Sequence, residues 1–159
     1  MRQITESECI FKLYKIANSS KVVPRKEQFD NGNAAIRLLV VDDELDITRT
    51  MKKGLERTGG FSVDTFNDPI QGLSNFKVGT YDMLILDIRM PNMNGFELYR
   101  EIIKKDRSAK VCFITAFEIN YDEFRKMFPS IDVNCFIKKP ISVVELANLV
   151  KKTLNELPD

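Results

Sequence analysis

Four apolar runs in this chain end on residues that can do chemistry. LLVV (38–41) runs into Asp42, Asp43 and Glu44, and DMLILD (82–87) ends on Asp87. KVCFIT (110–115) ends on Thr115, and VNCFIKK (133–139) ends on Lys139 just before Pro140. A lone acid, Gly or Asn would suffice to close a strand. Adjacent carboxylates repel, and several brought within a few ångströms cannot all stay ionised without a compensating charge. Every ligand on offer is an oxygen, which suits a hard divalent cation. A site with few protein ligands suits Mg²⁺, which keeps several of its waters. Mg²⁺ beside a carboxylate, a hydroxyl and an ammonium can transfer a phosphoryl group: the positive groups neutralise its oxygens while the carboxylate attacks in line. The chain contains no histidine. That excludes Ser-His-Asp and Cys-His catalysis, histidine-ligated metals and a phosphohistidine carrier role.

Such residues meet only if the elements bearing them end at one edge. From Ile36 the sequence alternates between strand and helix patterns. IRLLVV (36–41) reads as a buried strand, followed by a helix with Leu45, Thr48, Met51 and Leu55 on one face and Gly59 as its stop. FSVDTF (61–66) alternates weakly, and Asp68 and Pro69 cap and open the next helix. The run 82–87 is the third strand, before a helix with Phe96, Leu98, Tyr99, Ile102 and Ile103 as its apolar positions. The run 110–115 is the fourth strand, followed by a short helix stopped by Pro129. The run 133–139 is the fifth, before a helix boxed by Ser142 and Glu145 with Leu146, Leu149, Val150, Thr153 and Leu157 on its face. Five strand–helix units imply a parallel sheet covered on both faces. One topology allowed by right-handed crossovers is the flavodoxin-like doubly wound order 2-1-3-4-5. It puts the first and third strands at the switch point, where ligands bind outside the carboxyl ends.

Composition narrows the class. The 159 residues, 43% hydrophobic and 30% charged, suit one globular core. With 24 basic and 23 acidic residues the net charge is +1, which gives no support to a nucleic-acid or membrane surface as the main purpose. No apolar run approaches the roughly 20 residues of a membrane helix, and the N-terminus does not read as a signal peptide. Cys9, Cys112 and Cys135 form no CxxC pair. Cys112 and Cys135 lie in apolar runs, where thiols act as small hydrophobes, and a reducing cytoplasmic setting fits best. Residues 1–35 read as an extension: Ile10, Leu13, Tyr14 and Ala17 suggest a short amphipathic helix, and KVVPRKEQFDNGNAA a linker.

The pieces VVDDE (40–44), LILDIRMPNMNG (84–95), FITA (113–116) and FIKKP (136–140) together resemble the receiver domain of two-component response regulators, in the single-domain form of chemotaxis regulators. The likeness runs from residue 36 to about 157, giving an expected receiver domain over 36–159. It implies that Asp87 accepts the phosphoryl group. Mg²⁺ would be held by Asp43 directly, by Asp42 through water, by Asp87 and by the backbone carbonyl of Arg89. Thr115 would bond the phosphoryl group and Lys139 would pair with it, while Lys138 points to the other side of the strand. Phe136 matches the switch aromatic, which follows Thr115 when the loop after the fourth strand is pulled inward.

The implied upstream partner is a sensor histidine kinase or phosphotransfer protein. The implied output is a protein bound through the face of the fourth helix, fifth strand and fifth helix, with no direct nucleic-acid or membrane contact. The chain would act as a monomer or a phosphorylation-dependent dimer, and would catalyse only its own phosphorylation and dephosphorylation. It reads either as a single-domain regulator or as a receiver cut from a longer protein. Two competitors stand beside this. One is a phosphorylation-independent binding module with an idle pocket, which the full set of acids argues against. The other is an aspartyl-phosphate hydrolase, which would place a second acid where this chain has Arg89. The family pattern is broken at Arg89 and Phe117, where polar or smaller residues are frequent. Both flank the path of a hydrolytic water, so an unusual phosphoryl lifetime is expected, in a direction the sequence does not give. The segment 117–134, broken by Asn120, Tyr121 and Pro129, predicts a short or displaced fourth helix.

Overall fold

The computed structural model describes residues 34–118, 121–127, 129 and 135–156. The amphipathic pattern at Ile10–Ala17, the linker up to residue 33, Cys9, Leu157 and the first two residues of the expected fifth strand lie outside them.

Strands β1 (Ile36–Val41), β2 (Phe61–Phe66), β3 (Met83–Asp87), β4 (Val111–Thr115) and β5 (Cys135–Lys138) alternate with five helices. These are α1 (Leu45–Thr58), α2 (Pro69–Asn75), α3 (Gly95–Lys105), α4 (Tyr121–Met127) and α5 (Val143–Glu156). All strand pairings are parallel, in the order β2-β1-β3-β4-β5. The expected topology is therefore observed.

The strands are apolar on both faces because both faces are covered. With a side-chain period of two, one face of the sheet presents Leu38, Val40, Ile85, Ile114 and Ile137 to Met51 and Leu55 of α1 and Leu146 and Val150 of α5. The other presents Leu39, Val41, Leu84, Leu86 and Phe113 to Phe96, Tyr99 and Ile102 of α3 and Phe124 of α4. The face predicted for α1 needs one correction. Thr48, Met51 and Leu55 are buried, but Leu45 is exposed, because it opens the helix at the sheet edge beyond the core.

The caps are local. Asp68 accepts from the Gln71 amide with Pro69 at the first helical position. Ser142 and Glu145 form the predicted reciprocal cap. A second capping box, Asn94 with Glu97, opens α3 directly after the loop that follows β3. The pattern Asn-x-x-Glu before an apolar run was there to find it. Helix α4 is short, as its broken sequence predicts.

The expectation of two separate buried thiols is corrected. Cys112 and Cys135 are register partners on β4 and β5, on the same face of the sheet, and are joined as a disulfide with Cα atoms 4.5 Å apart. Sequence spacing alone hides the pairing, because only strand order makes these residues neighbours.

Candidate functional site

Asp42 follows the last residue of β1, and Asp87 is the last of β3, the two strands that meet at the switch point. Asp42, Asp43 and Asp87 offer carboxylate oxygens within 4.8 Å of one another. Asp42 is fully buried and Asp87 nearly so, whereas Asp43 is exposed. Asp42 is fixed by its own turn. Its Oδ1 accepts from the Glu44 amide at 2.9 Å, and its carbonyl accepts from Asn67 Nδ2 at 2.8 Å. Asn67 also donates to Thr48 Oγ1, tying the end of β1 to α1.

Lys139 comes to this cluster from the end of β5. Its ammonium lies 2.7 Å from Asp42 Oδ2, 3.3 Å from Glu44 and 3.6 Å from Asp87. Lys138, one residue earlier, points away and pairs with Glu118 at 3.2 Å. Glu44 is thus a third partner for the lysine, and an exposed one beside the two buried acids. Its place beside the acid pair was a signal, but the topology that closes a 95-residue separation was not.

The cluster is short of positive charge. Burial, then the charge of Asp42, raise the Asp87 pKa to about 6 against the opposing pull of Lys139, with Asp43 raising it further. Burial works to lower the Lys139 pKa, but its contacts with Asp42, Asp87 and Glu44 outweigh it and the net displacement is upward. Asp42 Oδ2 receives the lysine as an ion pair, and no directed hydrogen bond reaches it among the described residues. Three neighbouring carboxylates facing one ammonium, with an all-oxygen donor set, fit a hard divalent cation such as Mg²⁺.

Thr115 ends β4, one strand further along, and is buried. Its hydroxyl accepts from the Phe117 amide at 3.2 Å, and its carbonyl accepts from the Lys139 amide at 2.7 Å. Arg89 lies in the loop after β3 with its side chain exposed. Its guanidinium carbon stands 3.7 Å from the centre of the Phe117 ring. Phe136 is half-buried on β5, not in the acid cluster, with its ring against Phe113 and Phe124 at centroid distances of 5.7 and 5.2 Å. Gly95 bonds back from its amide to the Ile88 carbonyl at 3.0 Å, and a Cβ there would fall 3.0 Å from the Asp87 carbonyl carbon and 3.2 Å from Ile88 Cα. The glycine in the turn sequence therefore has a second job, letting α3 start against the backbone of Asp87.

This arrangement, carboxylates at the switch point with a lysine from the edge strand, defines a doubly wound α/β protein with an acidic pocket outside the sheet's carboxyl edge. Comparison with known proteins narrows the class. The chain belongs to the response regulator receiver domain family, whose model matches residues 38–151. It is 30% identical over 122 residues to the response regulator ArlR of Staphylococcus saprophyticus, covering 77% of this chain and 54% of the relative. It is 31% identical over 125 residues to the transcriptional regulatory protein PrrA of Mycobacterium leprae, covering 79% and 52%. The chain thus spans about half the length of these curated relatives. Among solved structures it is 36% identical to the response regulator TrrA of Thermotoga maritima in complex with Mg²⁺ and BeF, with a TM-score of 0.62 over 74% of this chain and 97% of that one. A CheY-like receiver domain protein from Methanospirillum hungatei is 25% identical with a TM-score of 0.66, over 77% and 96%.

Proposed function

We propose that the chain is a phosphorylation switch of a two-component system in which Asp87 accepts the phosphoryl group. The observation that carries this reading is the convergence of Asp42, Asp43 and Asp87 within 4.8 Å, with the Lys139 ammonium between Asp42 and Asp87. An Oδ of Asp87 attacks phosphorus in line, the bond to the donor's leaving atom breaks, and the leaving group takes up a proton. Asp42, Asp43, Asp87 and the Arg89 carbonyl would hold Mg²⁺, whose charge supplies neutralisation of the transferring oxygens. Lys139 pairs with the phosphoryl oxygens, and the Thr115 hydroxyl turns from the Phe117 amide to donate to them.

That turn draws the loop after β4 toward Asp87 and changes the space open to Phe136, which packs on Phe124 of α4. The face of α4, β5 and α5 then presents a different surface to a downstream protein. The shift needs only that the phosphoryl group favour one of two accessible states. A sensor histidine kinase or phosphotransfer protein is the proposed donor, and the chain acts as a monomer or dimerises when phosphorylated. Residues 1–35 are proposed as an extension of a receiver domain over 36–159. The proposed location is cytoplasmic. Among the described residues no helix is long and apolar enough to cross a membrane. Cytosolic disulfides are uncommon, so the Cys112–Cys135 bond is the feature at odds with that location.

The test is intact mass after incubation with acetyl phosphate and Mg²⁺. One Mg²⁺-dependent phosphoryl adduct is expected on the parent, with none on Asp87→Asn. A parent without an adduct would favour the phosphorylation-independent binding module instead.

A further inference from the structure

We propose that Asn67 is the positioning residue for Asp43: its side-chain amide holds the loop that presents this carboxylate to a divalent cation. The role rests on the proposed reading of Asp42, Asp43 and Asp87 as a Mg²⁺ site. Asn67 follows the last residue of β2, the outer strand, and is not itself one of the clustered acids. Its Nδ2 donates to the Asp42 carbonyl at 2.8 Å and to Thr48 Oγ1 at 2.9 Å. The buried Thr48 hydroxyl in turn donates to the Leu45 carbonyl at 3.0 Å. One amide group therefore grips the acid loop at both ends, at Asp42 where it leaves β1 and at the first turn of α1 where it enters the helix.

The end of the sheet explains why a side chain is used. The Asp42 amide donates to the Phe66 carbonyl at 3.2 Å, the last rung between β1 and β2. In a parallel ladder the carbonyl of the same residue would take the next amide of the neighbouring strand. There β2 has ended, and the chain turns into α2 with Asp68 as its cap. The donor that reaches the carbonyl is the Asn67 side chain, which adds one rung beyond the strand. That carbonyl belongs to the planar peptide whose other end is the Asp43 nitrogen, so holding it sets the direction in which Asp43 leaves β1. Asp43 depends on this. Asp42 and Asp87 are buried with Lys139 against both, whereas Asp43 is exposed and takes no direction from core packing. A loop free to swing would remove one of the three carboxylates that lie within 4.8 Å of one another. Mg²⁺ is sensitive to such a loss because it demands near-ideal octahedral geometry.

The test compares the parent with Asn67→Leu, which keeps the volume and removes both N–H groups. Mg²⁺ is titrated into metal-free protein, and binding is read from the backbone amide resonances of the acid loop. The half-saturating Mg²⁺ concentration should rise about tenfold in Asn67→Leu, the low end of the loss when a group that orients a metal ligand is removed. At saturating Mg²⁺ the rate of adduct formation from acetyl phosphate should stay within about twofold of the parent, because Asp87 keeps its own contacts. Asn67→Gln, with the same amide on a longer arm, should recover part of the affinity. Thr48→Val, which leaves the bond to Asp42 in place, should weaken binding less than Asn67→Leu. The grip also has a metal-free readout: the Glu44 amide, which donates to Asp42 Oδ1, should exchange with solvent faster in Asn67→Leu than in the parent. Val63→Ala, a core change on the same strand, should lower the urea midpoint and bind Mg²⁺ as the parent does. An unchanged Mg²⁺ midpoint in Asn67→Leu, or an equal rise in Val63→Ala, would overturn the positioning role and leave Asp87 as acceptor intact. A parent that binds Mg²⁺ with the expected loss in Asn67→Leu, yet takes up no phosphoryl group, would overturn the acceptor and leave the positioning role standing.

Discussion

Asp87 is where the charge of the pocket is felt most. Its burial, the charge of Asp42 and that of Asp43 outweigh the pull of Lys139, and its pKa rises from 3.8 to about 6. Between those values the folded chain binds more protons than the unfolded one, so this carboxyl's contribution to stability falls as pH rises through the window and is flat above it. In metal-free buffer the urea midpoint of the parent, measured relative to Asp87→Asn, should therefore drop from pH 4 to pH 6. A constant difference between the two proteins across that range would show that Asp87 is not strained by its neighbours. The convergence of the acids was legible because residue type and position at a strand end sufficed. Glu44 as a partner of Lys139 was not, since an exposed acid after two others reads as a solvated turn until β5 is seen to deliver the lysine.

At the scale of elements, the site depends on how closely α3 starts against the end of β3. A Cβ on Gly95 would press into the Asp87 carbonyl and lie 3.2 Å from Ile88 Cα, both backbone groups that cannot swing aside. Gly95→Ala should cost about 1–3 kcal/mol, as overpacking does, and should cut the yield of phosphoryl adduct more than a surface substitution such as Lys104→Ala. Equal adduct and an unchanged urea midpoint would remove Gly95 from the account. Strands and most helix faces were readable because side-chain period and caps are local. Three features were not. Leu45 has the helical spacing of a core residue, yet its turn projects beyond the sheet. The Asn94–Glu97 box has a readable pattern that the turn composition masked. Cys112 and Cys135 become neighbours only through the pairing of β4 with β5.

For the molecule as a whole, the two covered faces hold the strands fixed, so the pocket at their edge is pre-formed and short of positive charge. A ligand that binds only the folded form stabilises it by mass action, about 2.7 kcal/mol at a hundredfold excess over Kd. Mg²⁺ should therefore raise Tm by several degrees in the parent and by less in Asp43→Asn, read by thermal denaturation with Ca²⁺ and high-salt controls. An equal rise in both would place the ion elsewhere. The sequence by itself determined the alternation of strands and helices, the doubly wound parallel class and the residues at the strand ends. Each of these follows from hydrophobic period, caps and residue type along a short stretch. Only the tertiary structure decided how Lys139 divides itself among Asp42, Glu44 and Asp87, that Arg89 lies on Phe117, and that two cysteines meet. These depend on distances between side chains far apart in sequence, which strand order and helix packing set and local pattern does not encode.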